Sequence, residues 1–252
     1  MTHGIAAHRC GAIALLLATG AAPALSAPQH VISPVVEQGE VAVEAFGDVT
    51  HDRDKDKNAA QRQTYELEYS PTEFWRVAVE AKRKREPGES LKYDATEIEN
   101  VFQLTEPGEY WLTVGVLAAL ELPRAEDDPK EIEAGLLLQK EFGLLLNTVN
   151  LIFPREIGDH SSKGVEFEYA AQSIYRFIPE FGIGLEAFGD LGEIKHMPRA
   201  NLQEHRIGPV IAGKFGLGTA GALLYELGWE RGLTSETANN TFRWLVEYEI
   251  SF

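Results

Sequence analysis

The sequence predicts an all-β chain that closes into a single antiparallel transmembrane β-barrel of about twelve strands. Three observations lead there. The stretch 239–252 alternates almost without interruption: Phe242, Trp244, Val246, Tyr248, Ile250 and Phe252 share one parity, while Arg243, Glu247, Glu249 and Ser251 share the other, with Leu245 the one apolar intruder. A period of two puts the six apolar groups on one face of a strand, and such a face needs a core or lipid against it. Strand-like segments recur along the rest of the chain, with no amphipathic helix of useful length between them. Their connections alternate in kind, long and polar, then tight. Long loops at one end and short turns at the other, around an even number of strands, is the asymmetry of a barrel set in a membrane.

Residues 1–26 read as a secretory signal peptide. Arg9 precedes a small apolar run, no acid is present, and Ala24 and Ser26 fit cleavage after Ser26. The run is too short and wrongly flanked for a spanning helix. Cys10, the only cysteine, lies inside it, so the exported chain is expected to have no disulfide and no thiol chemistry. The formal net charge of -16 argues against nucleic acid and against adhesion to anionic headgroups. Residues 27–39, with Pro28 and Pro34 and no periodicity, read as a short periplasmic lead-in.

From residue 40 to 252 the pattern predicts strands near 40–50, 61–69, 74–85, 91–104, 110–122, 131–142, 144–155, 164–177, 181–194, 204–215, 221–231 and 239–252. The outward parity carries Val43, Tyr65, Leu67, Val79, Leu136, Phe167, Ile183, Leu227 and Trp229. Two places resist. Lys140 has lipid-facing parity, but it sits beside a turn, where its stem can snorkel to the interface. The fourth strand changes phase between Tyr93 and Ile98, and a β-bulge near Thr96 is the simplest repair.

The inward parity is rich in acids. The candidate lumen lining is Glu66, Glu68, Arg76, Glu80, Glu166, Glu168, Arg176, Glu186, Asp190, Arg206, Glu226, Glu230, Arg243 and Glu247. Hairpin geometry brings Arg76 beside Glu66 or Glu68, Arg206 opposite Glu230, and Glu168 opposite Asp190. A wet barrel interior tolerates charge without using it. The sharper reading is a narrow, acid-lined, cation-favouring passage for small solutes, since the bases are too few to pair every acid.

His160-Ser161-Ser162-Lys163-Gly164 resembles the H-x-S-x-G stretch of outer-membrane phospholipase A, another twelve-stranded barrel. His160 and Ser162 would match its base and nucleophile, but no Asn follows until Asn201 to orient the His, so the alternative of a lipid hydrolase is weak. An enzyme is not expected. No ligand spacing, cysteine cluster or phosphate loop is present, and no cofactor or metal is expected.

Tyr65-Glu66-Leu67-Glu68-Tyr69, Gly189-Asp190-Leu191-Gly192 and Glu204-His205-Arg206-Ile207-Gly208-Pro209-Val210, with the alternating final strand, resemble the bacterial outer-membrane family labelled for a meta-pathway of phenol degradation. The resemblance spans most of the chain after the signal. It implies a Gram-negative outer-membrane barrel with a cleaved signal, and passage of small hydrophobic or aromatic compounds. The expected partners are outer-membrane lipids and, through a last strand ending on Phe252, the assembly machinery. A closed structural or binding barrel is the remaining alternative.

Overall fold

The computed structural model describes residues 27–162 and 164–252. The expected signal peptide, 1–26, lies outside the described residues. Twelve antiparallel strands follow in order: β1 (Glu40–His51), β2 (Gln61–Thr72), β3 (Trp75–Arg85), β4 (Lys92–Gln103), β5 (Thr113–Pro123), β6 (Lys130–Phe142), β7 (Leu145–Ile157), β8 (Glu166–Ile178), β9 (Phe181–Glu193), β10 (Glu204–Gly216), β11 (Ala222–Gly232) and β12 (Asn240–Ser251). Each pairs with its sequence neighbours, and β1 pairs with β12, so the sheet is a closed barrel. Closure satisfies every rung between strands and leaves no edge, which a hydrocarbon surround requires. The final strand runs from Asn240 opposite His51 to Ser251 opposite Glu40. The inner end of the barrel is therefore the one where β1 begins and β12 finishes; most of the longer loops lie at the other, outer end, but the β4–β5 connection, expected to be a tight turn, is a longer loop of residues 104–112 at the inner end.

Alternation sets the facing. Val43, Tyr65, Leu67, Val79, Ile183, Leu185, Leu227, Trp229 and Phe242 are exposed on the outside, while Leu245, the intruder of the last strand, is buried inside. Aromatic rings cluster towards the inner rim, with Trp75 stacked on Phe102, Phe177 near Phe181 and Phe215 on Tyr225. Phe153 on Phe167 and Tyr169 beside His205 form an outer counterpart. Lys140 does turn to the rim, where its ammonium lies 5.7 Å from the Trp111 ring and 5.8 Å from that of Phe142, a cation–π arrangement. The phase change in β4 falls two residues earlier than the sequence suggests. Lys82 pairs with Ala95 and Arg83 with Tyr93, so Asp94 is the extra residue. Tyr93 then faces out and Ala95 in.

The outer loops are clasped to one another. Asp52, just beyond β1, accepts the Asn239 backbone N–H at 2.6 Å and its side-chain amide at 2.9 Å. Burial works against the Asp52 charge, but hydrogen bonds from the Asp54 and Asn239 amides outweigh it and hold the carboxyl below its usual range. Lys57 reaches the Ser235 carbonyl, and Ser235 Oγ donates to Asn201 O at 2.7 Å.

The segment read as a periplasmic lead-in lies inside the barrel instead. Gly39, at φ 81°, is in the left-handed region that favours glycine, and the chain before it lies within the lumen.

Candidate functional site

The lumen is the site, and its first component is this N-terminal segment. From Gly39 back to Ala27 it climbs from the inner end towards the outer one, held by side chains of the wall and not by strand pairing. Val36 N–H donates to Gln103 Oε1 at 2.8 Å. Asn150 brackets Ile32, accepting its N–H at 2.7 Å and donating to its carbonyl at 2.8 Å. His30 packs on Phe46, ring centroids 4.2 Å apart, and Thr64 Oγ1 donates to Gln29 Oε1 at 3.0 Å. Arg206 donates to the Pro28 carbonyl at 2.6 Å and Arg62 to that of Ala27 at 2.7 Å. Backbone groups buried at this depth must find partners. Two prolines reduce the N–H groups that need one.

The segment also fills space. Ile32 and Val36 pack into a buried cluster with Val101, Leu117, Leu137 and Ile152, which come from β4 to β7. Gly115 lies under Pro34: a Cβ there would stand 2.9 Å from Pro34 Cβ. At the outer end Ala27 packs against Ala170 and Phe188.

The remaining wall is ionic. Arg62 pairs with Asp48. Arg206 lies 2.5 Å from Glu230 and 3.9 Å from Asp48. Arg243 contacts Glu186, lies 2.7 Å from Glu226 and is 3.8 Å from Glu230. The guanidinium carbons of Arg206 and Arg243 sit 4.9 Å and 5.6 Å from the Phe188 ring centroid, so the ring supports both. On the β2–β5 side Arg76 is 3.1 Å from Glu68 and 3.8 Å from Glu99. Lys82 contacts Glu97, with Glu121 at 2.8 Å and Glu80 at 4.0 Å.

Of the residues expected to line the lumen, Glu66, Glu68, Glu80, Glu168, Glu186, Arg206, Glu230 and Arg243 are buried within it. Arg76, Glu166, Asp190, Glu226 and Glu247 are half-buried, and Arg176 stands at the inner rim against Glu141. Glu168 is opposite Asp190 in the β8–β9 register. Asp48, Arg62 and Glu204 also line the lumen, and their inward parity is the signal that could have found them. The apolar inner stripe of β4 to β7 was legible in the same way: Leu117, Leu137 and Ile152 are apolar at inward positions, a sign that something covers them.

The segment divides the lumen. An outer cavity of about 370 Å³ is lined by Glu97, Glu121, Glu131, Glu133, Glu166 and Glu168 among others. An inner one of about 430 Å³ is lined by Glu44, Glu68, Gln172, Glu226 and Glu247 with Ile174 and Leu245. His30 and Ile32 border both. In the β7–β8 loop, His160 has φ 67°, Ser161 Oγ donates to Gly158 O at 2.8 Å and Ser162 N–H donates to Glu156 at 2.6 Å. These are the bonds of a folded surface turn.

Neither a protein-family model nor a curated protein matches the chain. Solved structures match it in shape. The NanC porin superposes with a TM-score of 0.54 at 10% identity, over 82% of this chain and 98% of that one. The KdgM porin, also solved in complex with disordered oligogalacturonate, gives 0.52 at 12% identity, over 84% and 99%. The fold is a closed antiparallel β-barrel of the kind found in these porins. Its closed ring of twelve strands is shared with those porins at a level of identity that speaks for architecture alone.

Proposed function

We propose that this chain is an outer-membrane channel for small solutes, closed at rest by its own segment 27–38. The observation that carries the reading is how that segment is held. Its described partners are side chains spread over several strands of the wall, and none of these bonds belongs to the ladder between strands, so it can leave the lumen without breaking a rung of the barrel. Once it has left, two contrasting walls face each other across a narrow passage: the apolar stripe of Val101, Leu117, Leu137 and Ile152, and the acids of β2 to β4 and β8 to β12. That combination suits a small solute with an apolar body and a neutral or positive end. It accords with the aromatic or hydrophobic compounds that the family resemblance implies. It opposes a polyanion of the kind the KdgM porin was solved with, because carboxylates in a low-dielectric channel repel anions.

Lipid covers the outward apolar face, and β12 with Phe252 addresses the assembly machinery of a Gram-negative outer membrane. The β7–β8 loop offers His160 and Ser162 no orienting Asn, so no hydrolase is proposed.

Planar-bilayer recording of the full chain tests the reading. Wild-type protein should open rarely and briefly. Asn150→Ala with Gln103→Ala removes three hydrogen bonds to the segment, each contributing about 0.5–1.5 kcal/mol, and should raise the open fraction at least about tenfold. Silence from both proteins, in bilayers and in a liposome-swelling panel of neutral and cationic solutes, would make the barrel a closed binding or structural protein.

A further inference from the structure

We infer that the segment is pinned by its own terminal charge: cleavage between Ser26 and Ala27 creates an α-ammonium at Ala27, which Glu204, Asp190 and Glu168 receive at the outer end of the lumen. Ala27 is 1% exposed. Its backbone N–H hydrogen-bonds the Glu204 carboxylate. Glu204 is 6% exposed, and its second oxygen, Oε2, is buried with no hydrogen-bond partner. The register places Asp190 of β9 opposite Glu204 of β10, and Glu168 of β8 opposite Asp190. Three carboxylates therefore lie in one row across three adjacent strands. Oxygens of Glu166, Glu168 and Asp190 come within 4.8 Å of one another.

The nearby arginines bind the carbonyl side of the same residue, and their charges also reach Glu204. Arg62 donates to the Ala27 carbonyl and pairs with Asp48, and Arg206 donates to the Pro28 carbonyl and pairs with Glu230. Ala27 is thus held with cations at its oxygen and anions at its nitrogen, the polarity that suits an ammonium. A peptide nitrogen offers one N–H and no charge. An ammonium offers three donors and a positive charge, enough to reach the orphaned Oε2. Buried carboxylates of like sign are costly unless a cation joins them. On this inference, processing adds a further cation on the nitrogen side of Ala27 and fixes how far the segment is drawn into the barrel.

The inference rests on export of the chain, not on whether it conducts. Intact-mass measurement of the protein extracted from the outer membrane should give a chain beginning at Ala27; a different first residue would overturn it. Reductive methylation at neutral pH should then modify the Ala27 α-amine far more slowly in the native barrel than in denatured protein. Equal rates would also overturn it, and this comparison needs no variant. In Glu204→Gln and Glu168→Gln the amine should react about ten- to a hundredfold faster than in wild type, the range set by losing a hydrogen bond to a charged group. Glu109→Gln, in an exposed inner turn, should leave the rate unchanged. Wild-type rates in both carboxylate variants, with folding verified by heat-modifiable mobility, would remove those residues from the site. A silent barrel with a protected amine would sink the channel reading alone, and a conducting barrel with a reactive amine would sink this inference alone.

Discussion

Arg243 shows what one side chain does inside a filled barrel. Its own side chain is fully buried, as is that of Glu186, while Glu226 keeps partial access to the inner cavity. Removing the cation leaves the buried Glu186 carboxylate without its partner, while Glu230 keeps Arg206, and breaking a buried pair costs about 3–5 kcal/mol. Arg243→Met, similar in volume and able to lie on the Phe188 ring, should therefore lower the unfolding free energy in detergent by about that much, read from urea titration. Arg176→Met is the matched control. Its side chain is 43% exposed at the rim, and surface pairs of that kind contribute about 0–1 kcal/mol. A similar loss for both would mean that water reaches Arg243 as freely as it reaches the rim.

Among the strands, β12 carries a burden the others do not, because it must find β1 across the whole length of the chain. Phe242, Trp244, Val246, Tyr248 and Ile250 face out, and Phe252 N–H donates to the Gly39 carbonyl at 3.3 Å, tying the last residue to the turn where the lumenal segment begins. Phe252→Asp should reduce the amount of inserted, heat-modifiable barrel several-fold, whereas Lys57→Asp in an outer loop should not. Equal membrane levels for the two would show that the terminal ring is incidental. The strands were legible because lipid demands an apolar residue at every second position, and that demand writes a period into the sequence. The bulge was legible only to within two residues, since Asp94 and Thr96 are both polar and nothing local tells which one is extra. The lumenal segment left no period at all. Its partners, Gln103, Asn150, Thr64, Arg62 and Arg206, are spread over β4, β7, β2 and β10 and meet it only once the ring has closed. What the sequence did hold was their complement, the inward Leu117, Leu137 and Ile152, apolar residues with no reason to face water.

For the molecule as a whole, the acid excess of the lumen is a field and not a set of pairs. Glu131 and Glu133 line the outer cavity, and neither is among the described ion pairs. A channel opened by loosening the segment should prefer potassium over chloride in reversal-potential measurements. Glu131→Gln with Glu133→Gln should weaken that preference, and so should salt, as the Debye length falls from about 10 Å at 0.1 M to about 3 Å at 1 M. Chloride preference at low salt would contradict the facing assigned to these acids. The threaded lumen also constrains how the molecule is made. Segment 27–38 is joined through Gly39 directly to β1, the strand whose pairing with β12 completes the ring. It must either be laid against β4 to β7 while the sheet is still an open cup, or be fed through the inner mouth afterwards. The first route lets the buried cluster around Ile32 and Val36 form before the seam is sealed. Biogenesis would then proceed like closing a hinged case around its contents, with the earliest-synthesised residues serving as the template on which the last strand finds its mate.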